Sequence, residues 1–449
     1  MKVTLVNLTA PPTALHRPSL TPELMAATGA RYSRNNEGLD EILSKIDWDN
    51  TDKSVDSIFR MVDYGHASIA DMSPVTMFID DISILAAFWL WHISPTASGQ
   101  ESSTRYIRYN SSSMMDQKEV NIDGQDLYVA QSSGYLAYEK ARTMWEDYSK
   151  TYPDEMNISE ESKSDEKKYK RLVRNFGFDR ARVFLPVSAK TNVMMIMSAR
   201  SWVDVISYML SFPCKEFNQI GEALKSELNC ATPRLTKHAH SKESTTKILK
   251  HNLEQLIHKK HFDYNIMVDD SGGYCHVPFF DKDIMDLLDI RENRYAGFTD
   301  TIRMTPVRFG WSQSGFAEIR DVNRHRTGSK RISWYPNGFH SCADQCIKDP
   351  DLSQQLLEYA EDQMRNNFEM CVKYLKEGNF EGLYLLSLGH TFEWQHITTL
   401  DKFIYQAELR TGIGAHYAYA RMMMECVGAL ENSIPGISGK MLLGTGEAE

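Results

Sequence analysis

The chain has 449 residues, of which 42% are hydrophobic and 24% are charged. This length predicts two or three domains with a substantial buried core, and the composition excludes disordered, fibrous and collagen-like proteins. The formal net charge of −10 argues against a nucleic-acid polymer or an anionic membrane as a partner. A small anionic ligand held by a few local arginines remains compatible with that charge.

The elements predicted along the chain begin with a short strand. The opening KVTLVNLT alternates apolar and polar residues and stops before Pro11 and Pro12, as strands do. The longest apolar run, residues 82–93, is too short for a membrane span of about 20 residues. No signal peptide is evident, and the seven cysteines lack the spacing of a disulfide scaffold or a metal site. We therefore expect a reduced, soluble, cytoplasmic protein without a metal.

Three stretches show the apolar spacing of helices, namely residues 191–212, 352–375 and 398–428. Two polar segments interrupt the pattern. Residues 153–168 predict a solvated insertion, and the polar stretch 231–246 predicts a linker near the middle of the chain. The two sides share an order of elements that indicates an internal repeat. The predicted divisions are a lobe at 1–232, a linker at 233–246, a second lobe at 247–432 and a flexible tail at 433–449.

Two polar motifs could carry chemistry. The second lobe has RHRTGS at 324–329, where two guanidiniums flank an imidazole. Arginine can bond phosphate oxygens bidentately and also stack on a planar ring, so this run suits a nucleotide, although a solvated basic patch is the other interpretation. The first lobe has SGQESSTRY at 98–106. Ser103 and Arg105 could hold a phosphate and Glu101 a sugar hydroxyl or ring; a polar loop with a helix cap is the alternative.

These motifs together resemble the flavin-dependent thymidylate synthase (ThyX) family. Its signature RHRxxSxNExSxRY is preceded by GHxS and followed by ARxxLP and an arginine-bearing helix. The matching segments are GHAS (65–68), SGQESSTRY (98–106), ARVFLP (181–186), SAR (198–200), RHRTGS (324–329) and LR (409–410). The resemblance covers most of residues 1–212 and about 297–425.

Each lobe lacks what the other retains. The first has His-Ile-Ser at 92–94 in place of RHR, and the second has RISWYP at 331–336 in place of NExSxRY. Arg200 is kept only in the first lobe and Arg410 only in the second. In this family the active sites lie between subunits of a homotetramer. The resemblance therefore implies an α+β fold of two ThyX-like lobes, each a small sheet flanked by long helices. It also implies one composite site per chain and a homodimer that forms a pseudo-tetramer.

The resemblance also implies roles for particular residues. The flavin would be bound by Arg324, His325, Arg326, Ser198, Arg200 and Glu101, with His66 at the face where folate or nicotinamide stacks. The pyrimidine deoxynucleoside monophosphate would be bound by Ser103, Arg105, Arg182, Asp321, Arg324 and Arg410. Arg410, Arg324 and Glu101 would take part in the reaction.

The implied reaction is the reductive methylation of dUMP to dTMP with FAD, NADPH and methylenetetrahydrofolate, in which the flavin carries the difficult steps. Asp321 is a departure, because the family usually has Gln three residues before RHR. A carboxylate cannot donate to a uracil carbonyl but can accept from the amine of cytosine, unless it pairs with Arg320 or Arg324. The alternatives are therefore a methylase or hydroxymethylase of dCMP or dUMP, and a non-catalytic nucleotide-binding relative.

Overall fold

The computed structural model describes residues 1–8, 18–34, 36, 38–63, 67–258, 265–267, 270–279 and 284–444. Its strands are β1 (Lys2–Val6), β2 (Pro74–Ser83), β3 (Ser98–Glu101), β4 (Lys190–Ser198), β5 (Asn265–Met267), β6 (Gly273–His276), β7 (Pro306–Gly315), β8 (Ser329–Ile332), β9 (Gly338–His340) and β10 (His390–Thr399).

The helices are α1 (Pro22–Tyr32), α2 (Leu39–Ser44), α3 (Thr51–Asp63), α4 (Ile84–His92), α5 (Gly124–Thr151), α6 (Glu160–Ser164), α7 (Glu166–Ala181), α8 (Ala199–Ser211), α9 (Lys215–Ala231), α10 (Pro233–Thr236), α11 (Glu243–His258), α12 (Ile284–Leu288), α13 (Asp300–Met304), α14 (Phe316–Asn323), α15 (Pro350–Gln363), α16 (Glu369–Lys376), α17 (Leu400–Thr411) and α18 (Tyr417–Ser433). Across the described ranges, no helix is both long and apolar enough to cross a bilayer.

The chain divides into two compact units that are discontinuous in sequence. The first comprises Met1–Ser102, Lys118–Asn121 and Lys190–Asn252, and the second comprises Ser103–Gln117, Ile122–Ala189 and Leu253–Glu449. Helices α5 to α7, which lie between β3 and β4 along the chain, thus belong to the second unit. The lobe boundaries expected from the sequence stay predictions.

The first unit is built on a four-stranded antiparallel sheet in the order β1-β2-β4-β3. Strand β1, which the alternation predicts, pairs with β2 from Lys2 opposite Asp80 onwards. Helix α4 follows β2 directly because Ser83 caps it, accepting a hydrogen bond from the Ala86 backbone N–H. Residues 84–91 are all buried, so the longest apolar run of the sequence is a core helix.

The helix predicted over residues 191–212 is wrong in its first half, which forms strand β4; only the second half forms helix α8. Val193, Met195 and Met197 are buried while the residues between them are partly exposed, and this period of two belongs to a strand. Methionine is unbranched and packs in either element, so the apolar spacing of this run fits both.

The second unit contains a sheet in the order β5-β9-β10-β7-β6, with β8 also paired to β10. The β5–β9 pair is parallel and the other pairs are antiparallel. The helix predicted at 352–375 is present as α15 and α16, which a π-helical turn at Met364–Phe368 joins. The helix predicted at 398–428 is present as α17 and α18, with a break at 412–416.

The two sheets repeat one plan. In the first unit β2, α4 and β3 precede β4 and α8, and in the second β7, α14 and β8 precede β10 and α17. The strand register agrees as well, since Pro74 pairs with Ser198 at the end of β4 and Pro306 pairs with Thr399 at the end of β10. This correspondence supports the internal repeat, and the predicted α+β fold class is confirmed.

Two segments that the sequence predicts to be loosely held contain buried residues. In the predicted linker Leu235 is buried and Arg234 forms an ion pair with Glu23 at 2.5 Å. In the predicted tail Ile434 and Ile437 are fully buried. Both segments therefore contribute to the core, because a few well-placed apolar side chains suffice for packing even where the local composition is polar.

Candidate active site

Arg105 of the SGQESSTRY motif lies in a cluster of side chains within the second unit. Its Nε and Nη2 atoms each donate to a carboxylate oxygen of Asp179 at 2.7 Å, and its Nη1 donates to the Gly414 carbonyl at 3.0 Å. Burial opposes the charge of Arg105, but the Asp179 carboxylate prevails and raises the pKa of this guanidinium. Arg105 is thus a fixed cation with a defined orientation.

Arg105 and Arg410 both contact Tyr419. Arg105 Nη1 donates to the Tyr419 hydroxyl at 3.4 Å, and the Arg410 guanidinium carbon lies 5.2 Å from the centroid of the same ring. Arg410 is in the last turn of α17 and Tyr419 in the first turn of α18, so the turn between these helices brings them together. The second unit therefore joins an arginine from each half of the sequence.

The RHR run begins where α14 ends. Arg410 donates from Nε to His325 Nε2 at 2.9 Å and from Nη2 to the Asp321 carbonyl at 2.7 Å. The second bond satisfies a carbonyl that the helix end leaves without an intrahelical partner. Burial, together with the positive charge of Arg410, lowers the pKa of His325 well below its ordinary value. His325 is therefore a neutral ring whose Nε2 accepts a hydrogen bond from Arg410.

Arg182 of the ARVFLP segment lies deeper than a ligand-binding residue would. Its side chain is 0% exposed and forms ion pairs with Asp321 at 3.0 Å and with Glu318 at 3.3 Å. Burial would raise the pKa of Asp321, but the charge of Arg182 and the neighbouring arginines lowers it far below the usual range. The sequence did not suggest this partner for Asp321. Arg320, considered as its partner, donates to the Thr104 hydroxyl at 3.0 Å.

The structure places the remaining predicted site residues as follows. Three of them belong to the second unit. Ser103 accepts a hydrogen bond from the Arg105 backbone N–H at 3.2 Å. Arg324 is half-buried and Arg326 is exposed. Glu101 is buried at the end of β3 in the first unit. His66 lies outside the described residues.

Ser198 and Arg200 form a separate cluster in the first unit, where β4 passes into α8. Ser198 Oγ donates to Asp71 Oδ1 at 3.2 Å, and Arg200 Nη1 donates to Asp71 Oδ2 at 2.8 Å. Asp71 lies three residues after the GHAS motif. About half of the Arg200 side chain is exposed, so this guanidinium can turn towards a ligand at small energetic cost.

Sequence reasoning missed Asp179, Glu318 and Tyr419, the residues that hold the predicted arginines. A signal existed for Asp179, which precedes Arg182 by one helical turn. It also missed Lys330 at the start of β8, where burial and the adjacent Arg326 charge lower the pKa to about 7. Lys330 donates to the Asn323 side chain at 3.3 Å, which ties β8 to the end of α14.

Glu318 also faces a buried histidine. His340 Nδ1 lies 3.8 Å from Glu318 and its Nε2 lies 3.7 Å from Asp344. Burial lowers the pKa of His340, but the nearby carboxylates of Asp344 and Glu318 outweigh it and raise the pKa to about 9. His340 therefore carries a positive charge at neutral pH, inside the second unit.

Because of this charge, we expect the free energy of unfolding to decrease at alkaline pH. The folded pKa of His340 lies above its unfolded value of about 6.5, so its stabilising effect is complete below that pH and is lost as pH rises through 9. We expect the wild type to lose up to about 3 kcal/mol of unfolding free energy between pH 6 and pH 10 through this group. Chemical denaturation should show a flatter pH profile for His340→Gln.

His390→Gln is the matched control, because burial lowers the pKa of His390 to about 4 and the ring is neutral across this pH range. A His340→Gln profile as steep as that of His390→Gln would contradict the assignment of charge to His340.

The chain is similar to one described family and to two curated proteins. Residues 17–234 match the family described as thymidylate synthase complementing protein. A UPF0159 protein of Thermoplasma acidophilum is 22% identical over 479 residues, which cover 91% of this chain and 93% of that protein. A UPF0159 protein of Chlamydia pneumoniae is 22% identical over 482 residues, which cover 92% of this chain and 88% of that protein. Both likenesses extend over nearly the whole chain.

Two solved structures also align with the chain. The flavin-dependent thymidylate synthase ThyX of Helicobacter pylori, complexed with FAD and dUMP, is 19% identical; the match covers 54% of this chain and 100% of that one, with a TM-score of 0.35. The UMP/dUMP methylase PolB of Streptomyces cacaoi, bound with 5-Br dUMP, is 15% identical; the match covers 53% and 93%, with a TM-score of 0.33. The family match confirms the resemblance seen in the motifs over residues 17–234, which make up just under half of the chain.

Proposed function

We propose that the chain is a flavin-dependent thymidylate synthase, which converts dUMP to dTMP with FAD, NADPH and methylenetetrahydrofolate at one composite site. The observation that carries this proposal is the contact of both Arg105 and Arg410 with Tyr419. These arginines belong to motifs in opposite halves of the sequence, and the family resemblance assigns both to the nucleotide. A single chain thus assembles a cation pair that neither half contains.

Arg105 and Arg410 bind the nucleotide in this proposal. Asp179 holds two donors of Arg105 and fixes the plane of its guanidinium. Since Nη1 donates to the Gly414 carbonyl and the Tyr419 hydroxyl, the second Nη2–H is the donor that remains for a charge-assisted hydrogen bond to a phosphate, with Ser103 beside it. Arg410 stabilises negative charge that develops on the pyrimidine oxygens as C5 becomes nucleophilic. Local cations of this kind allow an acidic protein to bind an acidic ligand.

The residues that follow α14 fit the binding of FAD. Arg324 and Arg326 supply two cations that can bond a diphosphate or stack on a ring, and neutral His325 adds a planar group without further charge. Nε2 of His325 accepts a hydrogen bond from Arg410. The proton of the neutral ring is therefore on Nδ1, which points away from Arg410. When bound, FAD supplies the redox and one-carbon-transfer chemistry. Further cofactor contacts are proposed for Ser198, Arg200, Glu101 and His66.

Arg182 has a positioning role in this proposal. Since its side chain is fully buried between Asp321 and Glu318, it fixes the α14 segment that carries the RHR run. The cytosine alternative requires Asp321 to accept a hydrogen bond from an amine, but one oxygen of this carboxylate already accepts a hydrogen bond from Arg182. A uracil nucleotide is therefore the proposed substrate, and dCMP is included in the test.

The deciding assay is an anaerobic incubation with FAD, NADPH, methylenetetrahydrofolate and equal amounts of dUMP and dCMP, followed by mass spectrometry of the nucleotides. Conversion of dUMP alone, with the mass gain of one methyl group in place of hydrogen, is the expected result. A hydroxymethyl product or a change in dCMP would replace the proposal with the alternative activity. A protein that neither binds FAD nor changes either nucleotide would be a non-catalytic relative.

We also propose that two chains associate into a pseudo-tetramer of four lobes, as the family's tetrameric packing implies. Light scattering on the purified protein should give twice the mass of one chain. A monomer that is fully active would contradict this assembly.

A further inference from the structure

Lys330, near the start of β8, is a half-buried lysine that the proposed reaction leaves without a role. Its Nζ donates to the Asn323 carbonyl and, at 3.3 Å, to the Asn323 side-chain oxygen. Asn323 is the last residue of α14. A helix end leaves its final carbonyls to partners outside the helix, and a cation there also interacts favourably with the helix dipole. Lys330 therefore joins the strand that follows the RHR run to the helix that precedes it.

The loop between α14 and β8 is also held against β10. His396 Nε2 donates to the Thr327 carbonyl at 2.6 Å, and the Thr398 hydroxyl donates to the Thr327 hydroxyl at 3.2 Å. Gly328 has a φ of +64°, and a Cβ at this position would collide with the Ile397 carbonyl oxygen. The loop that carries the RHR run is thus fixed on the strand side, and Lys330 fixes it on the helix side.

The internal repeat indicates that the fold itself does not require a lysine at this position. Lys330 pairs with His396 on β10, and Gly99 of β3 pairs with Met195 on β4. His396 and Met195 each lie three residues before the end of their strand, so Gly99 is the equivalent of Lys330. The first lobe, which has the glycine, lacks the RHR run. Of the two repeats, only the one with the RHR run has the lysine, which points to a role in the site.

The groups that face Lys330 are cationic or neutral. They are Arg326 and His325 in the loop and His396 on β10. Burial lowers the pKa of His396 to about 4 and that of His325 well below its ordinary value, so both rings are neutral at pH 7. Burial and the Arg326 charge lower the pKa of Lys330 to about 7, and no carboxylate of a described residue opposes them. A bound anion would supply the missing negative charge.

We propose that Lys330 is a positioning residue for the RHR run, and that its ammonium form is stabilised when Arg324 and Arg326 bind an anionic diphosphate. This inference rests on the proposed function, in which the diphosphate belongs to FAD. The anion offsets the charge of Arg326, which otherwise disfavours the ammonium. The ammonium in turn holds Asn323 and thereby the start of the run. Binding of the diphosphate and protonation of Lys330 are thus coupled.

The coupling makes affinity for the diphosphate decrease as pH rises. Below pH 7 Lys330 already carries its proton in the free protein, so binding needs no proton from solution. Above pH 7 the free amine takes up a proton on binding, and affinity falls by up to about tenfold per pH unit. His325 and His396 stay neutral and Arg326 stays charged across this range. The slope therefore reports Lys330.

The test measures FAD binding by calorimetry at pH 6 and pH 8.5, in buffers with different enthalpies of ionisation. For the wild type we expect the Kd to rise about tenfold between these pH values and binding at pH 8.5 to take up about one proton. Lys330→Arg keeps a permanent cation, so its Kd should stay low without proton uptake. Lys330→Met should bind FAD about tenfold more weakly than the wild type at pH 6, with no pH dependence.

Lys190→Met is the matched control, because Lys190 is another half-buried lysine in a strand. Burial lowers the pKa of Lys190, but Glu119 outweighs it and raises the pKa, so this lysine stays charged over the whole range. The control should keep the pH dependence of the wild type. An equal wild-type Kd at pH 6 and pH 8.5, or a slope for Lys330→Met as steep as that of the wild type, overturns the coupling.

Urea unfolding without FAD separates this inference from the proposed function. The folded pKa of Lys330, about 7, lies below its unfolded value of about 10.4, so the folded state disfavours the ammonium until pH rises above 7. The wild-type midpoint should therefore rise relative to that of Lys330→Met between pH 6 and pH 9. Pyrophosphate at pH 6 should raise the wild-type midpoint more than that of the variant. If FAD does not bind, the proposed function fails, but these two results still support the anion-linked lysine. Midpoint differences that neither pH nor pyrophosphate changes overturn it.

Discussion

Replacing Arg105 by alanine is expected to abolish detectable turnover and to lower the free energy of unfolding by about 3–5 kcal/mol. The catalytic loss follows because Arg105 supplies the positive charge and the oriented donor proposed for the nucleotide phosphate. The stability loss has a separate cause, since the Asp179 carboxylate, 11% exposed, loses the partner that now bonds both of its oxygens. Steady-state kinetics and urea denaturation measure the two effects.

A double variant separates these effects. Arg105→Ala/Asp179→Asn removes the unpaired charge and should recover most of the stability, yet it should remain inactive because the cation proposed for the phosphate is still missing. Arg331→Ala serves as the control, since this exposed arginine belongs to the second-lobe segment that has lost the family motif. Full activity of the stable double variant would refute the role of Arg105 in substrate binding.

Replacing Arg182 by methionine is expected to cost about 3–5 kcal/mol of unfolding free energy and to reduce activity together with stability. The variant leaves the carboxylates of Asp321 and Glu318 buried without the cation between them. The triple variant Arg182→Met/Glu318→Gln/Asp321→Asn should be more stable than the single one, because it removes both charges. An equally unstable triple variant would assign the loss to packing.

The pH dependence gives a second readout for Arg182. In the wild type the folded pKa of Asp321 is depressed, so its stabilising effect is complete above the unfolded pKa of about 3.9 and is lost as pH falls below it. In Arg182→Met a buried carboxylate without its cation takes up a proton more readily. The stability gap between wild type and variant should therefore narrow from pH 7 to pH 4. A gap that widens on acidification would contradict the ion-pair model.

The structure also limits which positions can serve as neutral controls. Trp334 lies in the second-lobe segment that departs from the family motif. It is buried against Phe316, Phe380 and Phe392 with ring centroids 5.8–6.4 Å apart. Its replacement by alanine would open a cavity in the core. A position that has lost a functional motif can thus still be required for packing.

The sequence by itself determined the family resemblance, the strand β1, the late helices and the arginines of the two half-motifs, because these depend on residue type and local spacing. It also indicated that each half lacks what the other keeps. It did not predict that strand β4 precedes helix α8, because a run of methionines fits the repeat of a strand and that of a helix equally well. The pairing with β2 decides which side of the run is buried.

Only the tertiary structure decided the partners of the predicted site residues. Asp179 is 74 positions from Arg105, and Asp321 is 139 positions from Arg182, so no local pattern links either pair. Tyr419 meets Arg105 and Arg410 only because the chain returns through α17 and α18. Ion pairs form over a few ångströms in space, whereas sequence motifs constrain only near neighbours along the chain. The sequence therefore supplied the charged groups, and the fold determined which of them pair and which can face a ligand.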